Sequence, residues 1–103
     1  MSPRIAIDQA RIGAFCREWK ISKLELFGSV LRDDFGPASD VDVLVTFEPD
    51  AQWSLLDLVE MKAALEVIFE REVDLLTRPA VEASRNPFRK SAILSSAQVL
   101  FAA

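Results

Sequence analysis

The feature that most constrains the fold is a pair of aspartates within a run of valine and leucine at residues 40–45, which read DVDVLV. An ionised carboxylate is costly to place among apolar side chains unless a cation compensates for its lost hydration. Alternate side chains of a β-strand share a face, so Asp40 and Asp42 converge on one side while Val41, Val43 and Val45 pack on the other. Two converging carboxylates form a hard-oxygen site that suits Mg²⁺.

A glycine-serine pair, Gly28 and Ser29, precedes these aspartates at a separation of ten residues. Glycine lets the backbone approach a ligand closely, and a serine hydroxyl at the entry to a helix can hold a phosphate together with the backbone N–H groups. Magnesium held by few carboxylates completes its coordination with water and substrate phosphates, so the pattern predicts a phosphate-bearing ligand. Arg32, in the same turn, either contacts a phosphate or pairs with Asp33 or Asp34.

A third acid, Asp74, stands among apolar residues in a strand predicted over residues 71–77. The same desolvation cost applies to it, so a partner is again required. If this strand lies beside the strand of Asp40 and Asp42, the three carboxylates form a triad.

The remaining pattern predicts an α/β (α+β) fold in which helices pack on a small mixed β-sheet. Asp8, Ser54 with Asp57, and Asn86 with Pro87 are the expected helix starts. The predicted elements are helices over residues 8–20, 54–69 and from 86 toward 99–101, and strands over residues 24–27, 39–46 and 71–77.

Length and composition narrow the class of protein. The 103 residues predict one domain spanning residues 1–103, and the formal charge of −4 disfavours direct nucleic-acid binding. There is no histidine, which excludes histidine bases and ligands. Cys16, the only cysteine, falls at helical spacing with Ile12, Phe15 and Trp19, which predicts a packed core thiol. We expect a cytoplasmic protein, because no signal segment or apolar run long enough to span a membrane is present.

Several other side chains have structural and functional interpretations. Trp53 either anchors the core or stacks on a nucleotide base, and Glu25 and Glu72 are expected at the surface of edge positions. Arg85, Arg89 and Lys90 form a basic group that is either a solvated helix face or a contact for phosphate or a partner. A second apolar row on the middle helix suggests burial against another chain; it comprises Leu55, Val59, Ala63 and Val67.

The combined pattern resembles the DNA polymerase beta-like nucleotidyltransferase superfamily. The fuller form, Gly28-Ser29 with Arg32-x-Asp34 and Ser39-Asp40-x-Asp42, resembles its smallest members, the minimal nucleotidyltransferase (MNT) proteins, which include MntA-type antitoxins. The resemblance extends through Glu72–Thr77 and Arg85–Lys90 and so covers nearly the whole chain.

The resemblance implies a set of roles. Asp40 and Asp42 would bridge two Mg²⁺ ions, and Asp74 would bind the ion that carries the nucleophile and help take its proton. Gly28 and Ser29 would hold the β and γ phosphates of ATP, with Arg32 and Ser39 completing the nucleotide site.

The resemblance also implies a partner, because MNT proteins typically act as antitoxins that transfer AMP from ATP to a tyrosine hydroxyl of a HEPN ribonuclease toxin. A homo-oligomer or a hetero-oligomer with the toxin is compatible with the apolar helix row. Two alternatives remain: a binding module that neutralises the toxin by occlusion, and a small-molecule nucleotidyltransferase.

Overall fold

The computed structural model describes residues 7–28 and 40–103. Four helices and four strands lie in these two segments. The helices are α1 (Gln9–Glu18), α2 (Leu55–Phe69), α3 (Arg78–Glu82) and α4 (Pro87–Ser96), and the strands are β1 (Ile21–Phe27), β2 (Val41–Phe47), β3 (Val73–Thr77) and β4 (Gln98–Ala102). Their order along the chain is α1, β1, β2, α2, β3, α3, α4 and β4, and the sequence predicts all of them except α3 and β4.

The four strands form one mixed sheet in the order β3-β2-β1-β4. β1 pairs antiparallel with both β2 and β4, whereas β2 and β3 are parallel. A parallel pair needs a crossover connection, and α2 supplies it between β2 and β3. The predicted fold class, a small mixed sheet with helices packed on it, is confirmed.

Successive residues of β2 alternate between the two faces of this sheet. Val41, Val43 and Val45 are fully buried in the main core, which confirms the face predicted for them. The helices α1 and α2 close that core with residues at helical spacing, including Met61 and Leu65 of α2. On the opposite face a second, smaller core lies against α3 and α4; it consists of Phe27, Leu44, Val81 and Ile93.

Side-chain caps fix the starts of the three longer helices. Asp8 accepts a hydrogen bond from the backbone N–H of Arg11 at 3.1 Å. Ser54 and Asp57 form a capping box, in which the Asp57 carboxylate accepts from the Ser54 backbone N–H at 2.8 Å. Asn86 accepts from two backbone N–H groups of the first turn of α4. All three helix starts agree with the sequence prediction, because caps depend on local residue order.

Trp53 anchors the connection between β2 and α2. Its indole Nε1–H donates to the backbone carbonyl of Trp19 at 2.9 Å, and the two rings meet edge to face with centroids 5.0 Å apart. This contact supports the structural interpretation of Trp53, since its polar atom is engaged within the fold.

Three details of the sequence prediction are wrong. The last helix ends at Ser96, and residues beyond it form β4, an edge strand on β1. The short helix α3 directly follows β3, where only a strand end was expected. Glu25 is buried on a central strand instead of lying at a surface edge. The strand β4 and the burial of Glu25 depend on strand neighbours that are distant in sequence, whereas α3 is a local helix with a proline in its first turn.

Glu25 is buried next to a cation from the end of β3. The Arg78 guanidinium donates to the Glu25 carboxylate at 3.3 Å and also pairs with Glu82 at 3.4 Å. This ion pair spans three neighbouring strands, because Arg78 follows β3 and Glu25 lies on β1.

No helix in the described segments is long and apolar enough to cross a membrane.

Arg78→Met is expected to lower the free energy of unfolding by about 2–3 kcal/mol. Loss of a fully buried partner costs about 3–5 kcal/mol, and the Arg78 side chain is 31 % exposed, which reduces the effect. Urea unfolding measures the loss. Lys20→Met, which breaks the exposed Lys20–Asp50 pair, is the matched control and should cost much less.

Adding Glu25→Leu to Arg78→Met should recover part of the lost stability, because the unpaired carboxylate is then removed. A double variant that is less stable than Arg78→Met alone would contradict the assignment of this ion pair.

Candidate functional site

The candidate site begins where β1 ends, at Gly28. This glycine has φ +74°, a conformation that side chains of L residues rarely adopt. Its backbone lies against Asp42: a Cβ added at Gly28 would come within 3.2 Å of the Asp42 Cγ and still closer to one carboxylate oxygen. Only glycine therefore allows this backbone to approach the aspartate so closely.

Asp42 and Asp74 lie side by side in the sheet. β2 and β3 are parallel, and their register pairs Asp42 directly with Asp74. Residues paired in this way project from the same face of a sheet, so the two carboxylates share one surface. That surface carries Leu44 and the smaller core, since Leu44 follows Asp42 by two residues.

The other predicted site residues are placed as follows. Asp40 directly precedes β2 and is exposed. Ser29, Arg32 and Ser39 lie outside the described residues. Within segments 7–28 and 40–103, no group of three or more His, Cys, Asp or Glu side chains is arranged to hold a metal ion. The described geometry thus brings together Gly28, Asp42 and Asp74, and their roles stay a prediction.

The donor chemistry of the neighbouring aspartates is compatible with magnesium. Carboxylate oxygens are the ligands that Mg²⁺ prefers, and the ion usually takes only one or two from the protein. Asp42 and Asp74 provide such oxygens on one face, and the close approach of Gly28 leaves no side chain between its backbone and Asp42.

Glu66 holds the start of β3, a contact that the sequence pattern did not predict. Its carboxylate accepts a hydrogen bond from the Val73 backbone N–H at 3.1 Å and another from Lys62 at 3.0 Å. The bond from Val73, followed by that from Lys62, lowers the pKa of Glu66 below its ordinary value. Because Val73 directly precedes Asp74, this contact fixes the backbone beside the candidate site. The Lys62–Glu66 spacing was readable in the sequence, whereas the bond to Val73 was not.

Cys16 takes no part in this site. It is fully buried in the main core, and burial raises the pKa of its thiol to about 12 despite the nearby Arg17. A thiol with so high a pKa has almost no reactive thiolate at neutral pH. The prediction of a packed core thiol is confirmed.

The mixed sheet places two aspartates beside a glycine whose backbone approaches one of them, Asp42, closely, an arrangement that offers carboxylate oxygens next to backbone N–H groups. The chain matches the family model of the nucleotidyltransferase domain over residues 11–100. It therefore belongs to the nucleotidyltransferase domain family and is a transferase that acts on nucleotides. The resemblance to this superfamily that the sequence motifs indicated is confirmed.

The similar proteins include relatives with more specific names. The "Putative protein adenylyltransferase MJ0435" of Methanocaldococcus jannaschii is 38 % identical over 77 residues, which are 75 % of this chain and 76 % of the relative. A toxin–antitoxin structure with AMP-PNP has TM-score 0.70 and 17 % identity, covering 94 % of this chain and 75 % of the other.

A second similar structure is an MNT antitoxin in complex with a tri-AMPylated HEPN toxin of Shewanella oneidensis. It has TM-score 0.62 and 18 % identity, covering 92 % of this chain and 70 % of the other. At these identities the structural likeness shows a shared fold.

We expect Gly28→Ala to destabilise the protein by about 1–2 kcal/mol, because an L side chain is strained at this positive φ and collides with Asp42. Urea unfolding measures this cost, and backbone amide shifts of Asp42 and Asp74 report the displacement. Gly13→Ala in α1 is the matched control: it meets the flexible end of Arg17 at 3.2 Å, and alanine favours the helix by about 0.5–1 kcal/mol. Equal stability of Gly28→Ala and the wild type would contradict the proposed strain.

Glu66→Gln is expected to lower stability in a pH-dependent way. The pKa of Glu66 is lowered in the folded protein, so its contribution is fully present above the ordinary value of 4.5 and is lost as the pH falls through the lowered value. Urea unfolding from pH 7 to pH 3 measures the difference in the free energy of unfolding between wild type and variant. This difference should decrease below pH 4.5.

Glu60→Gln, on the same helix, is the control for this experiment, since Glu60 makes no hydrogen bond or ion pair within the described segments. A Glu66→Gln gap that stays constant down to pH 3 would show that the carboxylate charge does not stabilise β3.

Proposed function

We propose that this chain is an antitoxin-type protein adenylyltransferase that transfers AMP from ATP to a hydroxyl, most simply a tyrosine hydroxyl, of a HEPN ribonuclease toxin. The observation that carries the proposal is the register that pairs Asp42 with Asp74 beside the backbone of Gly28. The family supplies the reaction class, and a relative of similar length is named a protein adenylyltransferase. Structural neighbours that contain AMP-PNP or an AMPylated HEPN toxin support the nucleotide and the partner.

The proposed roles follow the sequence pattern. Asp40 and Asp42 would hold two magnesium ions, and Asp74 would hold the one nearer the acceptor. Gly28 and Ser29 would bind the β and γ phosphates through backbone N–H groups and the serine hydroxyl. Arg32 and Ser39 would complete the nucleotide site.

The reaction exchanges one bond at the α phosphorus of ATP for another. The acceptor oxygen forms a bond to this phosphorus while the bond to the β-phosphate oxygen breaks, so AMP stays on the acceptor and pyrophosphate leaves. The hydroxyl loses its proton, and the Asp74 carboxylate would help receive it. Bound divalent ions would supply charge stabilisation for the attacking and leaving oxygens.

The chain's own residues would act mainly by positioning. The strand pairing holds Asp42 and Asp74 on rigid backbone, and Glu66 secures β3 immediately before Asp74. Such preorganisation matters because phosphoryl-type transfer depends on orientation and charge neutralisation more than on covalent chemistry.

A second candidate function is neutralisation of the toxin by binding alone. The apolar row on α2 favours it, because Leu55, Val59 and Val67 are each more than half exposed in the single chain. Exposed apolar side chains on one helix face are typical of a surface covered by another protein. Binding and chemistry can use the same partner, so this row is also compatible with the first function.

Asp42→Ala and Asp40→Ala are expected to reduce AMP transfer by about a hundredfold or more, because each removes a carboxylate that would neutralise charge in the transition state. Asp74→Asn should do the same by removing the proposed proton acceptor. The measurement is incorporation of label from α-³²P-labelled ATP with Mg²⁺ into a co-encoded HEPN protein.

Glu72→Gln is the matched control, since Glu72 is exposed two residues before Asp74 and should leave transfer unchanged. A folded Asp42→Ala variant that labels the partner at the wild-type rate would refute the catalytic assignment. A tight complex without any label on the partner would favour neutralisation by binding.

A further inference from the structure

A pocket of about 230 Å³ lies between α3, α4 and the end of β3. Its apolar lining includes Leu76, Val81 and Ile93, and its polar lining includes Arg89 and Lys90. This pocket opens on the sheet face of the smaller core, to which Val81 and Ile93 belong and against which Leu76 packs. Neither the catalytic roles nor the nucleotide roles proposed above use it.

The helix α4 that lines one side of the pocket lies in a basic segment of the chain. Residues 83–103 hold three of the 12 basic side chains and none of the 16 acidic ones, in a protein of net charge −4. Within the described segments Arg89 and Lys90 form no ion pair, whereas Arg78 already engages the nearby acids Glu25 and Glu82. Two cations without a carboxylate partner at the rim of an apolar pocket favour an acidic ligand.

The size and lining of the pocket favour a single side chain over a nucleotide. Pockets for small-molecule ligands usually have volumes of roughly 300–1,000 Å³, which this pocket does not reach. Phe88, which is 85 % exposed, directly precedes Arg89 on the same helix. An exposed aromatic side chain on a helix that also lines an apolar pocket is typical of a protein-binding surface.

The pocket and the glycine proposed to bind the phosphates adjoin different strands of the sheet. Leu76 follows Asp74 by two residues on β3, so the pocket adjoins the edge strand of the aspartate pair. Gly28 follows β1, which lies on the other side of β2. Gly28 and the pocket are thus associated with different strands, and β2 with Asp42 lies between those strands in the sheet.

We propose that this pocket binds the acceptor segment: one aromatic or apolar side chain enters it, and flanking Asp or Glu residues pair with Arg89 and Lys90. This inference rests on the proposed function and names the recognition chemistry of its protein substrate. The acceptor hydroxyl then reaches the site from the side of Asp74.

The test is a titration of the ¹⁵N-labelled protein with the peptide Glu-Asp-Tyr-Asp-Glu, followed by backbone amide shifts. We expect shifts at Ala80, Ser84 and Ile93, and much smaller ones with Lys-Lys-Tyr-Lys-Lys. Lys90→Glu should weaken binding of the acidic peptide about fivefold. Arg17→Glu on α1 makes the same change in net charge on the opposite face of the sheet and should not weaken it.

Ala80→Phe gives an independent check, because Ala80 is exposed on α3 and lines the pocket, so a larger side chain fills the space without disturbing the core. This variant should abolish the peptide shifts. Any of three results would overturn the proposal: equal binding of the two peptides, no amide shifts at the pocket residues, or peptide binding by the Ala80→Phe variant that equals that of the wild type. So would shifts at these residues with Mg²⁺-ATP but not with the acidic peptide, which would assign the pocket to the nucleotide.

Failure of the proposed function produces a different result. In that case Mg²⁺-ATP leaves the amides of Gly28 and Asp42 unchanged and no AMP is transferred, while the acidic peptide still shifts the pocket residues.

Discussion

The parallel pairing of β2 with β3 is the constraint on which the candidate site depends. Asp42 and Asp74 are distant in sequence, and neighbouring carboxylates repel each other, so nothing local brings them together. The sheet does so because the valines on the other face of β2 and Val73 of β3 are buried in the main core. A slip of one residue would turn these apolar side chains toward the opposite face, which makes the register strongly favoured.

Specific contacts support that pairing at the point where the two strands begin. The Val41 N–H donates to the Glu72 carbonyl at 2.9 Å, and the Val73 N–H donates to the Glu66 carboxylate at 3.1 Å. α2 thus contributes both the crossover that a parallel pair requires and a side chain that holds the second strand. Met61 and Leu65 of α2 pack in the main core on one face of the sheet, while Glu66 of the same helix fixes the backbone next to Asp74.

The face of the sheet that carries the aspartates has a smaller apolar core than the opposite face, and it also holds a partly buried ion pair. The smaller core covers part of it, and the ion pair of Arg78 with Glu25 ties the end of β3 to β1. That pair keeps a buried carboxylate compensated and positions α3, which forms one wall of the basic pocket. The candidate site, the ion pair between Arg78 and Glu25 and the basic pocket therefore lie on one side of the sheet.

The sequence by itself determined the features that depend on nearby residues. The caps at Asp8, Ser54 and Asn86, the alternation of β2 and the buried thiol of Cys16 follow from local order and periodicity, so they were predictable. The motif with Gly28 and the aspartates also indicated the family. Only the tertiary structure decided which strands are neighbours. Four features follow from that choice and from the packing of α2: the burial of Glu25, the hydrogen bond between Glu66 and Val73, the edge strand β4 and the pairing of Asp42 with Asp74. Each of these depends on contacts between segments far apart in the chain, and no local pattern encodes which of the competing pairings buries the most apolar surface.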